Sequence, residues 1–166
     1  MQPDKINLKR TASIERESGK VIGLCHGCFD IIHFGHVEHF KLAKSYCDIL
    51  FVSVTSDKFV NKGPGRPYNR IEHRLVVLKA LENIDHAFES NHNDAIWSLT
   101  QVRPNYFFKG SDYKEGSRYN ANFVTEKSYA DSIGAMTIFT DGETSSSTDL
   151  FKKLMSDSHR SPLSVR

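Results

Sequence analysis

Through most of the chain, short apolar runs of strand length alternate with longer segments in which apolar residues recur at helical spacing. This alternation is typical of a parallel α/β sheet, because a crossover between parallel strands usually contains a helix. The run over residues 49–54 is nearly unbroken, which predicts a central strand that is covered on both faces. Other strands are predicted over residues 21–25, 85–89, 106–108 and 136–140. The pattern therefore predicts a sheet of about five parallel strands.

Helices are predicted between these strands. The first begins near Gly35, and its expected buried face consists of Val37, Phe40, Ala43 and Cys47. The second is predicted to start with a capping box formed by Asn69 and Glu72. Its apolar stripe consists of Ile71, Leu75, Leu78 and Leu81. The remaining helices are predicted over residues 94–100, 119–133 and 147–155.

The length of 166 residues corresponds to one domain. We place this domain at residues 20–155, between a polar N-terminal extension over residues 1–19 and a flexible tail over residues 156–166. Both ends lack apolar periodicity and are expected to be frayed. The net charge of +2 is too small for a protein that coats nucleic acid, so no such partner is expected. No membrane span or signal peptide is recognisable, which predicts a cytoplasmic protein without a membrane partner.

Three cysteines, Cys25, Cys28 and Cys47, cannot all pair and are too few for a disulfide scaffold. The Cys-x-x-Cys spacing of the first two also occurs in zinc and redox sites. A tetrahedral zinc site would need a second such pair, which the sequence lacks. We therefore predict reduced thiols and no metal ligands.

The segment after the first predicted strand is rich in glycine and histidine: His26-Gly27-Cys28-Phe29-Asp30, then His33-Phe34-Gly35-His36. Ligands bind open parallel sheets outside the carboxyl ends of the strands, so this segment is expected to lie in a site. The two later histidines are three residues apart at a helix start, where free N–H groups attract phosphate oxygens. A lone histidine there is usually a cap or a surface residue. The pair, following a strand and a glycine turn, favours a phosphate-binding site.

The run from Gly27 to His36 closely resembles the signature of the cytidylyltransferase-like nucleotidyltransferases, whose members carry His-x-Gly-His. Later segments are similar to those of bacterial heptose 1-phosphate adenylyltransferases, the second domain of ADP-heptose synthases. The similar segments are the Lys62-Gly-Pro-Gly-Arg-Pro loop, Arg74, Lys109-Gly-Ser-Asp-Tyr113 and Ser146-Ser147-Thr148. The resemblance covers about residues 20–155. It implies a Rossmann-like, doubly wound parallel sheet in a single domain.

The resemblance also implies roles for the matching residues. His33, His36 and Lys62 are the expected catalytic residues, which would contact the phosphates of a nucleotide and stabilise charge on its α-phosphate. The expected nucleotide-binding residues are Gly27, Cys28, Phe29, Gly35, Arg74, Lys109, Gly110, Asp112, Ser146, Ser147 and Thr148. Among these, Arg74 would hold the β- and γ-phosphates. The expected acceptor-binding residues are Asp30, Arg66 and Tyr113.

These roles imply nucleotidyl transfer. A phosphate oxygen of the acceptor attacks the α-phosphorus of a nucleoside triphosphate in line, and pyrophosphate leaves. The attacking phosphate is already ionised, so positioning and charge neutralisation supply the acceleration, with Mg²⁺ accompanying the triphosphate. The expected partners are a nucleoside triphosphate and a sugar or polyol phosphate. A separate upstream kinase would make the sugar 1-phosphate, and a homodimer is a further expectation.

The sequence leaves the substrates open. The segments beginning at Lys62 and Lys109 favour ATP and heptose 1-phosphate, although Ser111 replaces the second glycine of the adenylyltransferases. The alternative is a cytidylyltransferase that uses CTP and glycerol 3-phosphate. Those enzymes carry Arg-Thr-Glu-Gly-Ile-Ser-Thr-Thr before the last helix, and Asp141 stands where that arginine would align. An alternative of another class is a non-catalytic nucleotide-binding module, which the retention of both histidines disfavours.

Overall fold

The computed structural model describes residues 7–110 and 121–140. The predicted helix over residues 147–155 and the predicted tail over residues 156–166 lie outside these ranges. Five candidate site residues also lie outside them: Asp112, Tyr113, Ser146, Ser147 and Thr148.

Five strands form one sheet in which every neighbouring pair is parallel. In chain order they are β1 (Ile22–Gly27), β2 (Ile49–Thr55), β3 (His86–Ser90), β4 (Tyr106–Gly110) and β5 (Met136–Thr140). The predicted sheet of about five parallel strands is confirmed. The order across the sheet is β3-β2-β1-β4-β5, so β2 is an interior strand, as predicted, and β1 is the middle one. The run in β2 is nearly unbroken because both faces of the sheet are covered.

Helices lie on both faces of this sheet. In chain order they are α1 (Leu8–Glu17), α2 (Phe34–Ser45), α3 (Ile71–Lys79), α4 (Ile96–Val102) and α5 (Ala121–Ser132), with a short 3-10 turn at Asp57–Phe59. Helices α2 and α3 pack in one hydrophobic cluster, and α1, α4 and α5 pack in the other. The sheet is therefore doubly wound, as expected. None of the helices in the described ranges is long and apolar enough to cross a membrane.

Alternate residues of the strands supply the two hydrophobic cores. Leu24 and Phe107 face α1, α4 and α5, whereas their neighbours Cys25 and Phe108 face α2 and α3. Burial of each large side chain stabilises the fold by about 1.5–3 kcal/mol. At Gly23 the packing is closest, because a Cβ atom there would lie 2.7 Å from the ring of Phe108. These contacts fix β1 and hence the start of the segment that follows it.

Helix α1 lies where the sequence predicted a frayed end. Leu8 and Ala12 are buried, and Nη2 of Arg16 donates to the carbonyls of Val102 at 2.6 Å and Arg103 at 3.0 Å, where α4 ends. The helix buries one narrow face and exposes the rest to solvent, so its sequence is mostly polar. Two buried apolar residues are too few to produce a periodic signal, which is why the prediction failed here.

Helix α3 begins without the predicted capping box. Its N-cap residue is Arg70, which makes no capping hydrogen bond through its side chain, so the box predicted from Asn69 and Glu72 is wrong. The carboxylate of Asp57 takes that place, because its Oδ2 accepts a hydrogen bond from the backbone N–H of Ile71 at 3.3 Å. A negative group at a helix start is favourable. This cap comes from the turn after β2, which local spacing could not indicate.

The strand order changes direction at the centre of the sheet. From β1 the chain proceeds outward to β2 and β3, and then crosses to the other side to form β4 and β5. The crevice between the carboxyl ends of β1 and β4, at Gly27 and Gly110, is where open α/β sheets bind ligands. The segments after these two residues therefore define the candidate site.

Candidate active site

His33 and His36 lie side by side at the start of α2, with ring centroids 4.0 Å apart. His33 is the N-cap residue, and its Nδ1 accepts a hydrogen bond from the backbone N–H of Gly35 at 3.2 Å. Nδ1 of His36 accepts from the backbone N–H of His33 at 3.4 Å. A ring nitrogen that accepts a hydrogen bond carries no proton, so each neutral imidazole has its proton on Nε2. The pair therefore carries two adjacent Nε2–H donors.

The backbone N–H groups of this helix start are arranged differently from the expectation. Those of Gly35 and His36 already have acceptors, namely Nδ1 of His33 and, at 2.9 Å, the carbonyl of His33. The sequence predicted that free helix N–H groups would help to bind phosphate. In the structure, the N–H of Gly35 instead orients the imidazole of His33, the N–H of His36 closes the first turn of the helix, and the imidazoles carry the donors.

Both histidines of the pair are neutral at pH 7. Burial is the main cause for His36, whose pKa falls to about 3, and His33, His39 and Lys62 nearby lower it further. Burial and then Lys62 lower the pKa of His33 below its ordinary value. The pair therefore presents uncharged donors, which satisfy phosphate oxygens without adding a positive charge.

Lys62 stands next to the pair on the exposed loop that follows β2. Gly63 and Gly65 have φ values of +95° and +73°, which a residue with a side chain rarely adopts. Lys62 lowers the pKa of His33, His36 and Cys28 by its positive charge. The structure therefore brings together the three residues that were predicted to be catalytic.

Asp30 and Arg66, which were predicted to contact the acceptor, bind each other. Nε of Arg66 donates to Oδ2 of Asp30 at 2.8 Å, and the backbone N–H groups of Tyr68 and Asn69 donate to the same carboxylate at 2.9 and 2.8 Å. Burial raises the pKa of Asp30, but the hydrogen bonds from Asn69, Tyr68 and Arg66 outweigh burial and lower it. The Asp30 side chain is 0 % exposed, so it anchors the loop rather than facing a ligand. Nη2 of Arg66 is buried with no hydrogen-bond partner among the described residues.

Arg74, which was expected to hold the β- and γ-phosphates, has three protein acceptors. Its side chain is 0 % exposed, and Nη2 lies 2.6 Å from Oδ1 of Asp57. Nη1 donates to the carbonyl of Cys28 at 2.5 Å, and Nε donates to the carbonyl of Asn69 at 3.0 Å. Arg74 therefore ties the segment after β1 to the segments on both sides of the Lys62 loop, and direct contact with a phosphate would require these bonds to break.

The backbone held by Arg74 is strained at the next residue. Phe29 has a φ of +48°, in the left-handed region that costs a residue with a side chain about 1–3 kcal/mol. Its buried ring packs against His36 and Phe40, with centroids 5.7 and 5.2 Å away. The ring contacts and the Arg74 hydrogen bond therefore stabilise the turn that leads from Gly27 to the histidine pair.

A cavity of about 240 Å³ opens outside the carboxyl ends of the central strands. Four of its lining residues were predicted site residues: Gly27, Cys28, Lys62 and Lys109. His26, in the segment that was expected to lie in a site but was given no role, also lines the cavity. Sequence reasoning missed three others with polar groups, Thr55, Asn93 and Glu126. Thr55 ends β2, so the rule that ligands bind at the carboxyl ends of parallel strands could have identified it. Glu126 lies within α5, and nothing in the local sequence marks it.

Lys109 and Glu126 form a buried ion pair in the wall of this cavity. Nζ of Lys109 lies 2.6 Å from Oε2 of Glu126, and each side chain is 5 % exposed. The ammonium group also lies 5.0 Å from the ring centroid of Phe107. Lys109 was predicted to bind nucleotide, and the structure gives it a protein carboxylate as partner at the edge of the cavity.

The three cysteines are free thiols, as predicted. Burial raises the pKa of Cys28, although Lys62 and Arg74 nearby lower it, and burial raises the pKa of Cys47 to about 11. Both groups are therefore thiols rather than thiolates at pH 7. Within residues 7–110 and 121–140, no group of three or more His, Cys, Asp or Glu side chains could hold a metal ion.

The family described as "Cytidylyltransferase-like" matches residues 24–157. The "Bifunctional protein HldE" of Sulfurimonas denitrificans is 36 % identical over 146 residues, which are 87 % of this chain and 29 % of the relative. The protein of the same name from Campylobacter fetus subsp. fetus is 32 % identical over 151 residues, 90 % of this chain and 31 % of the relative. The chain thus spans less than a third of these relatives.

Two solved structures share the fold. The lipopolysaccharide core biosynthesis protein from Thermoplasma volcanium GSS1 has a TM-score of 0.63 at 22 % identity, covering 76 % of this chain and 100 % of that one. The pantoate-beta-alanine ligase from Francisella tularensis, complexed with beta-gamma ATP and beta-alanine, has a TM-score of 0.60 at 17 % identity, covering 96 % and 80 %. At these identities the likeness extends to the fold alone.

Proposed function

This chain belongs to the cytidylyltransferase-like family of nucleotidyltransferases, and from that premise we propose that it transfers AMP from ATP to a sugar 1-phosphate such as heptose 1-phosphate. The observation that carries the proposal is the pair of neutral imidazoles, His33 and His36, each with its proton on Nε2, outside the carboxyl end of β1. The segments beginning at Lys62 and Lys109, which resemble those of heptose 1-phosphate adenylyltransferases, support the choice of substrates.

In the proposed reaction, a phosphate oxygen of the acceptor forms a bond to the α-phosphorus of ATP. The bond from the α-phosphorus to the bridging oxygen breaks, and its electron pair leaves with pyrophosphate. Negative charge redistributes over the phosphate oxygens in the transition state, where hydrogen bonds from His33 and His36 stabilise it. The acceptor phosphate is already ionised at pH 7, so the protein needs neither a nucleophile of its own nor a strong base.

Lys62 supplies the positive charge that the neutral histidines lack. It is exposed on a loop whose glycines allow it to approach a bound phosphate, and it lines the cavity, which His33 and His36 do not line. Its charge nevertheless acts on both imidazoles of the pair. We propose that Lys62 contacts the triphosphate and the acceptor phosphate, which carry like charges and repel each other. Its ammonium group therefore positions the two reacting phosphates as well as neutralising them.

Mg²⁺ belongs to the proposal as part of the nucleotide substrate. It commonly binds through substrate phosphates together with only one or two carboxylates. The absence of a larger ligand cluster from the described residues is compatible with delivery by the triphosphate. When bound there, the ion neutralises the triphosphate and assists the departure of pyrophosphate. The protein's own part is to orient the phosphates through His33, His36 and Lys62.

A matrix of substrates tests the proposal. Release of pyrophosphate is measured with ATP, CTP, GTP and UTP, each combined with heptose 1-phosphate, other sugar 1-phosphates and glycerol 3-phosphate. We expect the highest kcat/KM for ATP with a sugar 1-phosphate. A preference for CTP with every acceptor would overturn the adenylyl assignment, and no release with any pair would indicate a non-catalytic nucleotide-binding module. The proposal also requires a kinase activity that supplies the sugar 1-phosphate.

A further inference from the structure

Glu126 is a buried carboxylate in the wall of the cavity, far from the histidine motif in the sequence. Oε2 accepts from Nζ of Lys109 at 2.6 Å, and Oε1 accepts from the backbone N–H of Ala95 at 2.9 Å. A carboxylate offers about four acceptor positions in total. These two hydrogen bonds therefore fix its orientation while leaving acceptor capacity on the oxygens that border the cavity.

The charge of Lys109 decides what kind of ligand this carboxylate suits. Because the ammonium group neutralises Glu126 at 2.6 Å, this part of the wall is polar without a net charge. It therefore favours neutral hydrogen-bond donors over a cation. Lys62 lines the same cavity and favours an anion. A ligand with a phosphate at one end and hydroxyl groups at the other matches both features.

His26 extends the polar wall beside Glu126. It lines the cavity, and its Nδ1 lies 3.0 Å from Oγ of Ser53, which in turn lies 2.7 Å from Oγ of Ser98. Burial, Lys109 and His92 lower the pKa of His26 to about 3, so its ring is neutral. Either serine hydroxyl can be the donor, so His26 can adopt either tautomer. A neutral ring of this kind can donate to a ligand hydroxyl or accept from it.

A purely structural role explains the ion pair poorly. Burial of an ion pair contributes little net stability, because desolvation of the two charges offsets their attraction. Apolar side chains of similar size could join α4, α5 and β4 equally well. The observation that Glu126 and Lys109 border a cavity at the ligand-binding edge of the sheet points to recognition instead.

We propose that Glu126 is a specificity-determining residue that accepts hydrogen bonds from hydroxyl groups of the acceptor. This inference rests on the proposed function and deepens it, because it selects polyhydroxylated phosphates over phosphates that lack those hydroxyls. Lys109 and the N–H of Ala95 position the carboxylate. His26 completes the wall with a neutral donor or acceptor.

The test couples a change in the protein to a change in the acceptor. In Glu126→Gln, the amide oxygen can still accept from Ala95, but the charge is lost. With heptose 1-phosphate as acceptor, we expect kcat/KM to fall about tenfold to a hundredfold, as for loss of a hydrogen bond to a charged group, while KM for ATP is unchanged. Analogues of heptose 1-phosphate that each lack one hydroxyl group are then compared. For the analogue that lacks the hydroxyl group bound by Glu126, the kcat/KM values of the wild type and the variant should differ by less than twofold.

Two further variants keep the outcome decisive. Asp131→Asn removes a carboxylate from the exposed Lys127–Asp131 pair on the same helix, and it should leave every kinetic constant unchanged. The double variant Glu126→Gln with Lys109→Met removes both buried charges. It is used in place of Glu126→Gln if that single variant does not fold, because Glu126→Gln leaves the buried ammonium group of Lys109 without its carboxylate partner. If Glu126→Gln lowered kcat/KM by the same factor for every acceptor, including glycerol 3-phosphate, Glu126 would not be a specificity-determining residue. That result would leave the proposed function intact, because the proposed function is tested separately by whether the wild type releases pyrophosphate from ATP with a sugar 1-phosphate and prefers ATP to CTP.

Discussion

The histidine pair at the start of α2 and the ion pairs Asp30–Arg66 and Asp57–Arg74 all contain polar groups that are at least partly buried, but they are assembled differently. The backbone N–H groups of Gly35 and His33 orient the imidazoles of His33 and His36, respectively, through hydrogen bonds that span no more than three residues. The ion pairs Asp30–Arg66 and Asp57–Arg74 join segments that are 36 and 17 residues apart. The donors of the site are therefore fixed locally, whereas their position in the fold depends on distant contacts.

This difference distinguishes the residues proposed to act in the chemical step from the residues that hold them in position. Each imidazole of the pair needs only its backbone neighbours to adopt the tautomer that donates from Nε2. The segment that carries the pair is held by Arg74 at the carbonyl of Cys28 and by Asn69, whose Nδ2 donates to the carbonyl of Asp30 at 2.7 Å. A substitution in the pair should therefore affect the chemical step, and a substitution in the ion pairs should affect stability as well.

The largest expected effect is on the pair itself. His33→Ala and His36→Ala should each lower kcat about a hundredfold or more, because each removes one oriented donor from the transition state. The melting temperature should fall only modestly, since neither side chain belongs to a core cluster, although His33 caps α2 and His36 packs against Phe29. Turnover is measured by pyrophosphate release, with His73→Ala on the exposed face of α3 as the control. Near-normal turnover in either variant would remove that histidine from the reaction.

The second largest effect is expected from Arg74, which holds the segment that carries the histidine pair. Arg74→Met should lower the free energy of unfolding by about 2 kcal/mol, because it leaves the carbonyls of Cys28 and Asn69 without their donor. It should also lower kcat/KM, since the turn at Phe29 loses one of its supports. Urea unfolding measures the first effect, and the exposed neighbour variant Arg70→Met serves as the control. Unchanged stability would mean that Arg74 is available for the phosphates after all.

The third effect separates the two regions by pH. The pKa of His36 is about 3 in the folded protein and about 6.5 when unfolded, so its contribution is fully present above pH 6.5 and is lost as the pH falls toward 3. The loss has a limiting slope of about 1.4 kcal/mol per pH unit. Asp30 affects stability at lower pH than His36 does. Its contribution to the free energy of unfolding is fully present above its unfolded pKa, about 3.9, and is lost as the pH falls through the lowered pKa of the folded protein.

Unfolding measured at a series of pH values distinguishes these windows. His36→Asn should make the loss of stability between pH 6.5 and 4.5 shallower than in the wild type. Asp30→Asn should lower stability at pH 7 and change the slope only below about pH 4. The same slope between pH 6.5 and 4.5 in wild type and His36→Asn would contradict the burial of a neutral imidazole.

The smallest effect is on the loop between the ion pairs. The sequence indicates flexibility over residues 61–68, because glycines and prolines prevent a helix there. Arg66 and Tyr68 both bind Asp30, so we expect fast hydrogen exchange over residues 60–65 and slower exchange over residues 66–69. ATP with Mg²⁺ should slow exchange in the first range only, as Lys62 engages the phosphates. Equal protection of both ranges without nucleotide would contradict this division.

How well each element could be predicted depends on how far apart in the sequence its interacting residues lie. Each predicted strand overlaps an observed one, because each contains neighbouring apolar residues that a local window detects, most clearly in β2. Helix α1 escaped detection since only Leu8 and Ala12 are buried in its ten residues. The cap of α3 was also missed, because Asp57, whose carboxylate accepts the capping hydrogen bond, lies 14 residues before the donor Ile71 in the sequence.

The same rule separates the residues of the site. The histidine pair and Lys62 belong to short motifs, and the sequence identified them together. Arg74 was identified, but its partners were not, since its charge could equally well meet a phosphate or a carboxylate. Glu126 has no local signal because Lys109 and Ala95, which hold it, come from other elements. Residues that act through distant partners are visible only once the fold is known.

The neutrality of the histidine pair has a consequence for the response to ionic strength. Uncharged donors act only at contact distance, so dissolved salt hardly alters what they contribute. Lys62 is charged and exposed, and at physiological ionic strength its attraction is screened beyond about 8 Å. From the proposed roles we therefore expect salt to weaken the capture of the nucleotide, where Lys62 attracts the phosphates at a distance, and to leave nearly unchanged what the histidines contribute to the chemical step. An enzyme built in this way loses affinity in concentrated salt before it loses turnover.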